Sequence, residues 1–173
     1  MKNVLVIAPH PDDEILGCGG TMLKHVAKGD NVFVCIVTHA APPIYKEGAS
    51  AGIQEAAKKC HNWMGVKETF FLNFPTVMLE TVDRYKINDA IHNVVQQTQA
   101  DIMYIPHYGD MQKDHQMVVD AAMVALRPKY THKVKKIYAY ETNSTLFVYY
   151  GFYSALRIEQ CQNGSYLQKG NYS

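Results

Sequence analysis

The chain has 173 residues, and its 17 lysine and arginine residues against 16 aspartate and glutamate residues give a net charge of +1. This balance argues against nucleic acid as the main partner, and a hydrophobic content of 47% excludes a disordered chain. The length is typical of one compact domain, and no apolar run approaches the roughly 20 residues that a membrane span needs. Four widely spaced cysteines favour a reducing, cytoplasmic location.

Strands and helices are predicted to alternate along the chain. The predicted elements, in chain order, are a strand over 4–8, a helix over 13–28, a strand over 32–37, a loop over 40–50, a helix over 54–64, a strand over 68–72, a helix over 82–99, a strand over 102–105, a helix over 114–126 and a strand over 136–140. The first two strands are continuous apolar runs, which are typical of strands buried on both faces of a sheet. This alternation predicts an α/β fold with an open, mainly parallel sheet.

The first candidate motif, Pro9-His10-Pro11-Asp12-Asp13-Glu14, directly follows the first predicted strand. Ligands of open α/β sheets bind beyond the carboxyl ends of the strands. We expect His10 and Asp13 to face one point there, and an imidazole with a carboxylate suits zinc. Asp12 would lie beside the metal and accept a proton from bound water. The alternative is that these acids only complement the positive end of a helix dipole.

The second candidate motif runs from His107 to His115 and follows the fourth predicted strand. In a parallel sheet it would face the same crevice, and His115 would complete a set with His10 and Asp13. Three protein ligands with an open fourth position characterise a catalytic zinc site. Asp114 is predicted to orient a neighbouring group. Taken alone, a loop with two histidines and two aspartates is also compatible with ordinary solvated surface.

With both motifs in place, the sequence resembles the LmbE-like/PIG-L family of zinc-dependent N-deacetylases, which includes GlcNAc-PI de-N-acetylase. Residues 9–14 match the (A/P)HPDDE signature of that family, and 105–115 resemble its second motif, which ends in Asp-His. Residues 54–75 resemble its helix-then-strand segment, and 140–141 resemble a later strand end. The resemblance runs from Lys2 to about 145.

The resemblance implies a Rossmann-like three-layer fold with a deacetylase domain over 1–145. It implies hydrolytic removal of an acetyl group from an N-acetylated amino sugar or sugar conjugate, which would be a small-molecule partner beside a possible homo-oligomer. Carried over by position, His10, Asp13 and His115 would hold Zn²⁺, and Asp12 would be the general base.

Two features depart from the family pattern. Gln112 stands where many members have a histidine that stabilises the tetrahedral intermediate, and a glutamine donates a hydrogen bond but cannot become cationic. The tail over 146–173 has no pattern that aligns with the family. The alternative prediction is therefore a catalytically impaired or non-enzymatic metal-binding member of the same fold. A nucleotide-binding domain ranks lower, because its glycine fingerprint is missing.

Other residues have weaker signals. His39 follows the second strand and is expected either to line the crevice or to be an ordinary loop residue. Gly17-Cys18-Gly19-Gly20 is predicted to let the first helix approach the sheet closely, since it lacks phosphate-loop spacing. Trp63 is predicted to pack in the core or in a dimer interface. Four histidines without acidic neighbours are predicted to lie at the surface or an interface: His25, His61, His92 and His132.

Overall fold

Five parallel strands form one sheet in the computed structural model, which describes residues 1–129 and 133–142. The strands are β1 (Asn3–Ala8), β2 (Asn31–His39), β3 (Glu68–Pro75), β4 (Ile102–Pro106) and β5 (Lys136–Tyr140), in the spatial order β3-β2-β1-β4-β5. The helices are α1 (Asp13–Ala27), α2 (Ala49–Met64), α3 (Arg84–Thr98) and α4 (Lys113–Ala125), with a short 3-10 helix at Leu79–Thr81. The predicted α/β class with a parallel sheet is confirmed.

Helices cover both faces of the sheet because the central strands are apolar on both sides. Along β1, Leu5 and Ile7 pack into a core with residues of α3 and α4, whereas Val4, Val6 and Ala8 pack into a second core with residues of α1 and α2. All five side chains are completely buried. Successive side chains of a strand point to opposite faces, so a continuous apolar run requires a cover on each face. The result is a three-layer arrangement.

Two predicted boundaries are wrong at the β3 side of the sheet. The helix α2 begins at Ala49 rather than Gln54, directly after Gly48, whose φ of 81° is left-handed, so the end of the predicted loop is helical. The strand β3 continues to Pro75, three residues beyond its predicted end. Since β3 is an edge strand paired only with β2, a proline at its end leaves no ladder hydrogen bond unmade.

Some predictions fall outside the described part of the chain. These are the domain boundary at 145/146, the tail over 146–173 and His132. Within 1–129 and 133–142, no helix is long and apolar enough to cross a membrane.

His61 was predicted to lie at the surface, and this prediction is wrong. Both His61 and Glu14 are 1% exposed, with His61 Nε2 3.0 Å from Glu14 Oε1. The other ring nitrogen lies 2.9 Å from Thr69 Oγ1. A buried histidine needs partners for both ring nitrogens, and here they come from α1 and β3. The contact therefore joins the start of α1 to α2 and to the sheet.

The glycines of α1 are not equivalent. A Cβ atom at Gly17 would overlap the ring of Tyr140 and lie 3.1 Å from the Glu141 carbonyl oxygen, whereas nothing lies within 4 Å of the same atom at Gly20. The predicted close packing is confirmed at Gly17. Trp63, in contrast, is 81% exposed on α2, so it does not lie in the core, and its place in a dimer interface stays a prediction.

A polar cluster closes the carboxyl end of α1 and provides a pH-dependent prediction. Asp30 lies 2.8 Å from His25 Nδ1 and also accepts the Lys2 N–H, and these contacts lower the pKa of Asp30. A depressed carboxyl pKa contributes stability that is present above the unfolded value and lost as the pH falls through the folded one. We expect Asp30→Asn to lower the Tm at pH 7.

The Tm deficit of Asp30→Asn should begin to narrow below about pH 4, where this carboxyl becomes protonated in the unfolded chain, and it should close only when the pH falls below the lowered pKa of the folded state. Thermal unfolding over a series of pH values measures this difference in Tm. Asp89→Asn, at an exposed position of α3, is the control and should show no such trend. A deficit for Asp30→Asn that stays constant to low pH would contradict the role of the charge.

Candidate metal centre

The candidate site lies where β1 and β4 end side by side. These strands pair in parallel, with Val4 opposite Ile102, so their carboxyl ends meet at the same edge of the sheet. The turn after β1 is fixed because the Pro9 carbonyl accepts hydrogen bonds from both the amide and the hydroxyl of buried Thr38. The site therefore receives one side-chain set from the β1–α1 turn and a second from the start of α4.

Three side-chain atoms converge at this edge. His10 Nδ1 lies 3.3 Å from Asp13 Oδ2 and 3.3 Å from His115 Nε2, and the third side, between His115 Nε2 and Asp13 Oδ2, measures 3.2 Å. Zinc bonds of about 2.0–2.1 Å in a tetrahedron place neighbouring ligand atoms roughly 3.3 Å apart. The three donors therefore fit three corners of a zinc tetrahedron and leave the fourth open.

The outward-facing nitrogen of each histidine also meets a carboxylate. His10 Nε2 lies 3.0 Å from Asp114 Oδ2, and His115 Nδ1 lies 3.0 Å from Asp110 Oδ2. Carboxylates in this position fix the tautomer and the orientation of metal-binding histidines. The sequence analysis gave Asp114 such an orienting role but gave none to Asp110. The available signal for Asp110 was its place in the same loop, five residues before His115.

Electrostatic coupling within this cluster is strong. Burial alone would lower the pKa of His10 and of His115, but the carboxylates beside them outweigh it and raise both pKa values to about 9. Burial would conversely raise the pKa of Asp13 and Asp114, yet their histidine contacts hold both pKa values below the usual range. The side chains thus hold protons at neutral pH that a metal ion must displace on binding.

Asp12 stands beside the three donors without joining them. Its side chain accepts the N–H of the neighbouring Asp13 but makes no capping hydrogen bond to α1, so its carboxylate does not serve as a helix cap. Desolvation by the surrounding protein, followed by the charge of Asp13, raises the pKa of Asp12 above its usual value. Asp12 and Glu14 also line a largely apolar groove of about 370 Å³ between α1 and α2. The carboxylate is therefore available to a substrate or to water.

Comparison with known proteins identifies the family. The model of the family described as PIG-L, GlcNAc-PI de-N-acetylase, matches residues 5–126, which include both motifs. This chain belongs to the PIG-L family. The "Uncharacterized deacetylase YaiS" of Escherichia coli K12 is 29% identical over 155 residues, which cover 83% of this chain and 76% of YaiS.

Solved structures show the same fold at lower identity. The N,N'-diacetylchitobiose deacetylase from Pyrococcus horikoshii, in complex with an inhibitor, superposes with a TM-score of 0.68 at 19% identity, over 96% of this chain and 72% of that one. The zinc-inhibited form of teicoplanin deacetylase Orf2 has a TM-score of 0.66 at 16% identity, over 81% and 67%. The three-layer architecture is therefore that of these deacetylases.

Three further residues singled out in the sequence of this PIG-L chain are held by contacts of their own. Gln112 immediately precedes α4, and its backbone N–H donates to Asp110 Oδ1 at 2.9 Å. His39 Nδ1 donates to the Phe74 carbonyl at 3.0 Å, and His107 Nδ1 accepts the Gly109 N–H at 3.1 Å. Neither histidine belongs to the group of His10, Asp13 and His115 that could hold a metal ion.

Besides Asp110, a backbone group of this site is not predicted by the sequence. The N–H of Val77, in the segment after β3, donates to Asp114 Oδ2 at 2.6 Å. A backbone donor has no residue-type signature, and the two residues are 37 positions apart. Val77 therefore holds the carboxylate that in turn holds His10.

Proposed function

We propose that this PIG-L chain is a zinc-dependent hydrolase that removes the acetyl group from an N-acetylated amino sugar or sugar conjugate. The observation that carries the proposal is the set of His10, Asp13 and His115 donors at zinc-like spacing beside the carboxylate of Asp12, which does not cap α1. Membership of the PIG-L family and the shared fold of the chitobiose deacetylase support this substrate class.

His10, Asp13 and His115 would hold the metal. When bound, zinc supplies a Lewis acid that acidifies water and polarises an acyl oxygen. Asp12 takes the proton from the attacking water as general base, and its raised pKa makes it a better proton acceptor than an ordinary aspartate. The same carboxyl then returns the proton to the departing amine, so that acetate and a free amine result.

Two further residues assist in this proposal. Asp114 orients His10 through their 3.0 Å contact, while the Val77 N–H fixes Asp114 itself. Gln112 donates a side-chain N–H to the negative charge that develops on the acyl oxygen. Because glutamine stays neutral, this stabilisation is weaker than a cationic histidine would provide.

Metal analysis of the purified chain tests the assignment of the ligands. Protein prepared without added metal should contain about one zinc per chain, and His10→Ala and His115→Ala should each lose it. His107→Ala is the matched control, because its ring bonds to the Gly109 N–H, and it should keep the metal. Metal content that is unaffected by either ligand substitution would overturn the proposal, and iron in place of zinc would correct the identity of the ion.

Gln112 favours a second candidate function. A chain that keeps the metal site but lacks a cationic group at this position could bind N-acetylated ligands without turning them over. Acetate release from a panel of N-acetylglucosamine conjugates distinguishes the two candidates, since only the hydrolase releases acetate.

We also propose that the chain acts in the cytoplasm and forms a homo-oligomer. The wide spacing of the four cysteines in the sequence supports the first statement. The exposed side chain of Trp63 on α2 supports the second.

A further inference from the structure

The segment after β3 crosses the carboxyl edge of the sheet to reach the metal centre. β3 is the edge strand on one side of the sheet, and β4, which leads to α4, lies on the other side of β1. Even so, Asp114 at the start of α4 accepts backbone hydrogen bonds from Val77 and Leu79. Residues 76–79 therefore border the crevice in which His10 and His115 lie.

Val77 has an unfavourable backbone conformation. Its φ of 62° lies in the left-handed region, where the branched Cβ of a valine meets the backbone, so such a residue is a genuine outlier there. Its side chain is 56% exposed, so burial gives little compensation for the strain. Strained residues of this kind concentrate at functional sites.

The hydrogen bond to Asp114 does not explain why a valine occupies this position. Glycine adopts a positive φ without strain and would donate the same backbone N–H. What a glycine would lack is the side chain at the edge of the crevice. The backbone hydrogen bond therefore does not account for the strained valine, and the reason for it must lie in the valine side chain.

Two more exposed apolar side chains lie in the loop that leads to the same helix. Tyr108 is 75% exposed and Met111 is 70% exposed, and both lie between β4 and α4. We call Val77, Tyr108 and Met111 the apolar rim. Large apolar side chains exposed next to a polar site are a common mark of ligand contact.

We propose that Val77 is a specificity-determining residue whose side chain contacts an apolar substituent of the substrate. The substrate class is then an N-acetylated amino sugar that carries an aryl or alkyl group, in preference to the unsubstituted sugar. This inference rests on the proposed deacetylase function. It assigns the strained valine a role in binding, whereas its backbone N–H remains a positioning contact.

Steady-state kinetics of the zinc-loaded full chain test this inference with two substrates, p-nitrophenyl N-acetyl-β-glucosaminide and free N-acetylglucosamine. Val77→Gly should raise the KM for the aryl glycoside about fivefold relative to the KM for the free sugar, because apolar contact area is lost. Val77→Ile keeps a branched side chain and should retain the low KM. Met123→Ala removes an exposed apolar side chain at the far end of α4 and should change neither the KM for the aryl glycoside nor the KM for the free sugar.

Thermal unfolding gives a second readout that does not depend on activity. Val77→Gly should raise the Tm by about 2 °C through release of the strain. If the unmodified chain turns over both substrates and Val77→Gly leaves the ratio of their KM values unchanged, the inference about Val77 is overturned and the deacetylase function stands. If the unmodified chain releases no acetate from either substrate, the proposed function fails and the inference fails with it.

Discussion

An Asp12→Asn variant is expected to lose deacetylase turnover by about 10²–10⁴-fold while it keeps its metal. Asparagine has nearly the same shape as aspartate, so the turn between β1 and α1 should be preserved, but it cannot accept a proton from water. Asp12 is not one of the three convergent donors and does not cap α1, so we expect neither metal binding nor folding to depend on its charge. Acetate release and zinc content, measured on the same preparation, check the expectation.

Asp120→Asn is the matched control for this substitution. Asp120 is an exposed carboxylate on α4 that lies 3.6 Å from Arg84, away from the three donors, and its change to an amide should leave turnover intact. Full turnover by zinc-loaded Asp12→Asn would remove Asp12 as the general base. Zinc binding without acetate release from the unmodified chain would instead favour the non-enzymatic alternative.

A Gly17→Ala variant is expected to be strongly destabilised, although alanine is the better helix former. The added methyl group would overlap the ring of Tyr140, which is 2% exposed and donates its hydroxyl to the Ile7 carbonyl at 2.7 Å. A buried ring held at both ends cannot move aside without loss of packing. We expect a loss of about 2 kcal/mol in the free energy of unfolding, and a fall in Tm of roughly 5 °C.

Gly20→Ala provides the opposite result within the same helix. Because no atom would lie within 4 Å of the new methyl group, only the helix propensity changes, and the variant should gain about 1 kcal/mol at most. Chemical denaturation of both variants gives the comparison. In a Tyr140→Ala background the penalty at Gly17 should largely disappear, and a penalty that persists there would show that the contact with Tyr140 is not its cause.

The sequence predicts the centre of this site because its donors are adjacent to strand ends. The apolar run of β1 stops at Pro9, and the run of β4 stops at Pro106, so His10 and His115 are placed at the same edge by the parallel arrangement alone. The histidine and aspartate side chains at that edge then indicate a metal site. The sheet brings the two motifs to one edge, and the start of α4 then places His115 beside the other two donors.

The sequence does not predict contacts that depend on the path of loops or on distant partners. His61 lacks acidic neighbours in sequence, and its partner Glu14 comes from 47 residues earlier. The Val77 N–H reaches Asp114 only because the segment after an edge strand crosses the sheet. Hydrophobic periodicity carries no information about such crossings, and a backbone donor is the same for every residue except proline.

The spacing of the three donor atoms also has a consequence for the discrimination between ions. Sides of 3.2–3.3 Å suit bonds of about 2 Å, whereas calcium takes oxygen ligands at about 2.3–2.6 Å and needs six or more of them. To admit calcium, the triangle would have to widen, and the carboxylates behind both histidines resist such an expansion. If this group holds a metal, its spacing therefore disfavours calcium, and its two imidazole nitrogens disfavour magnesium, which prefers oxygen ligands.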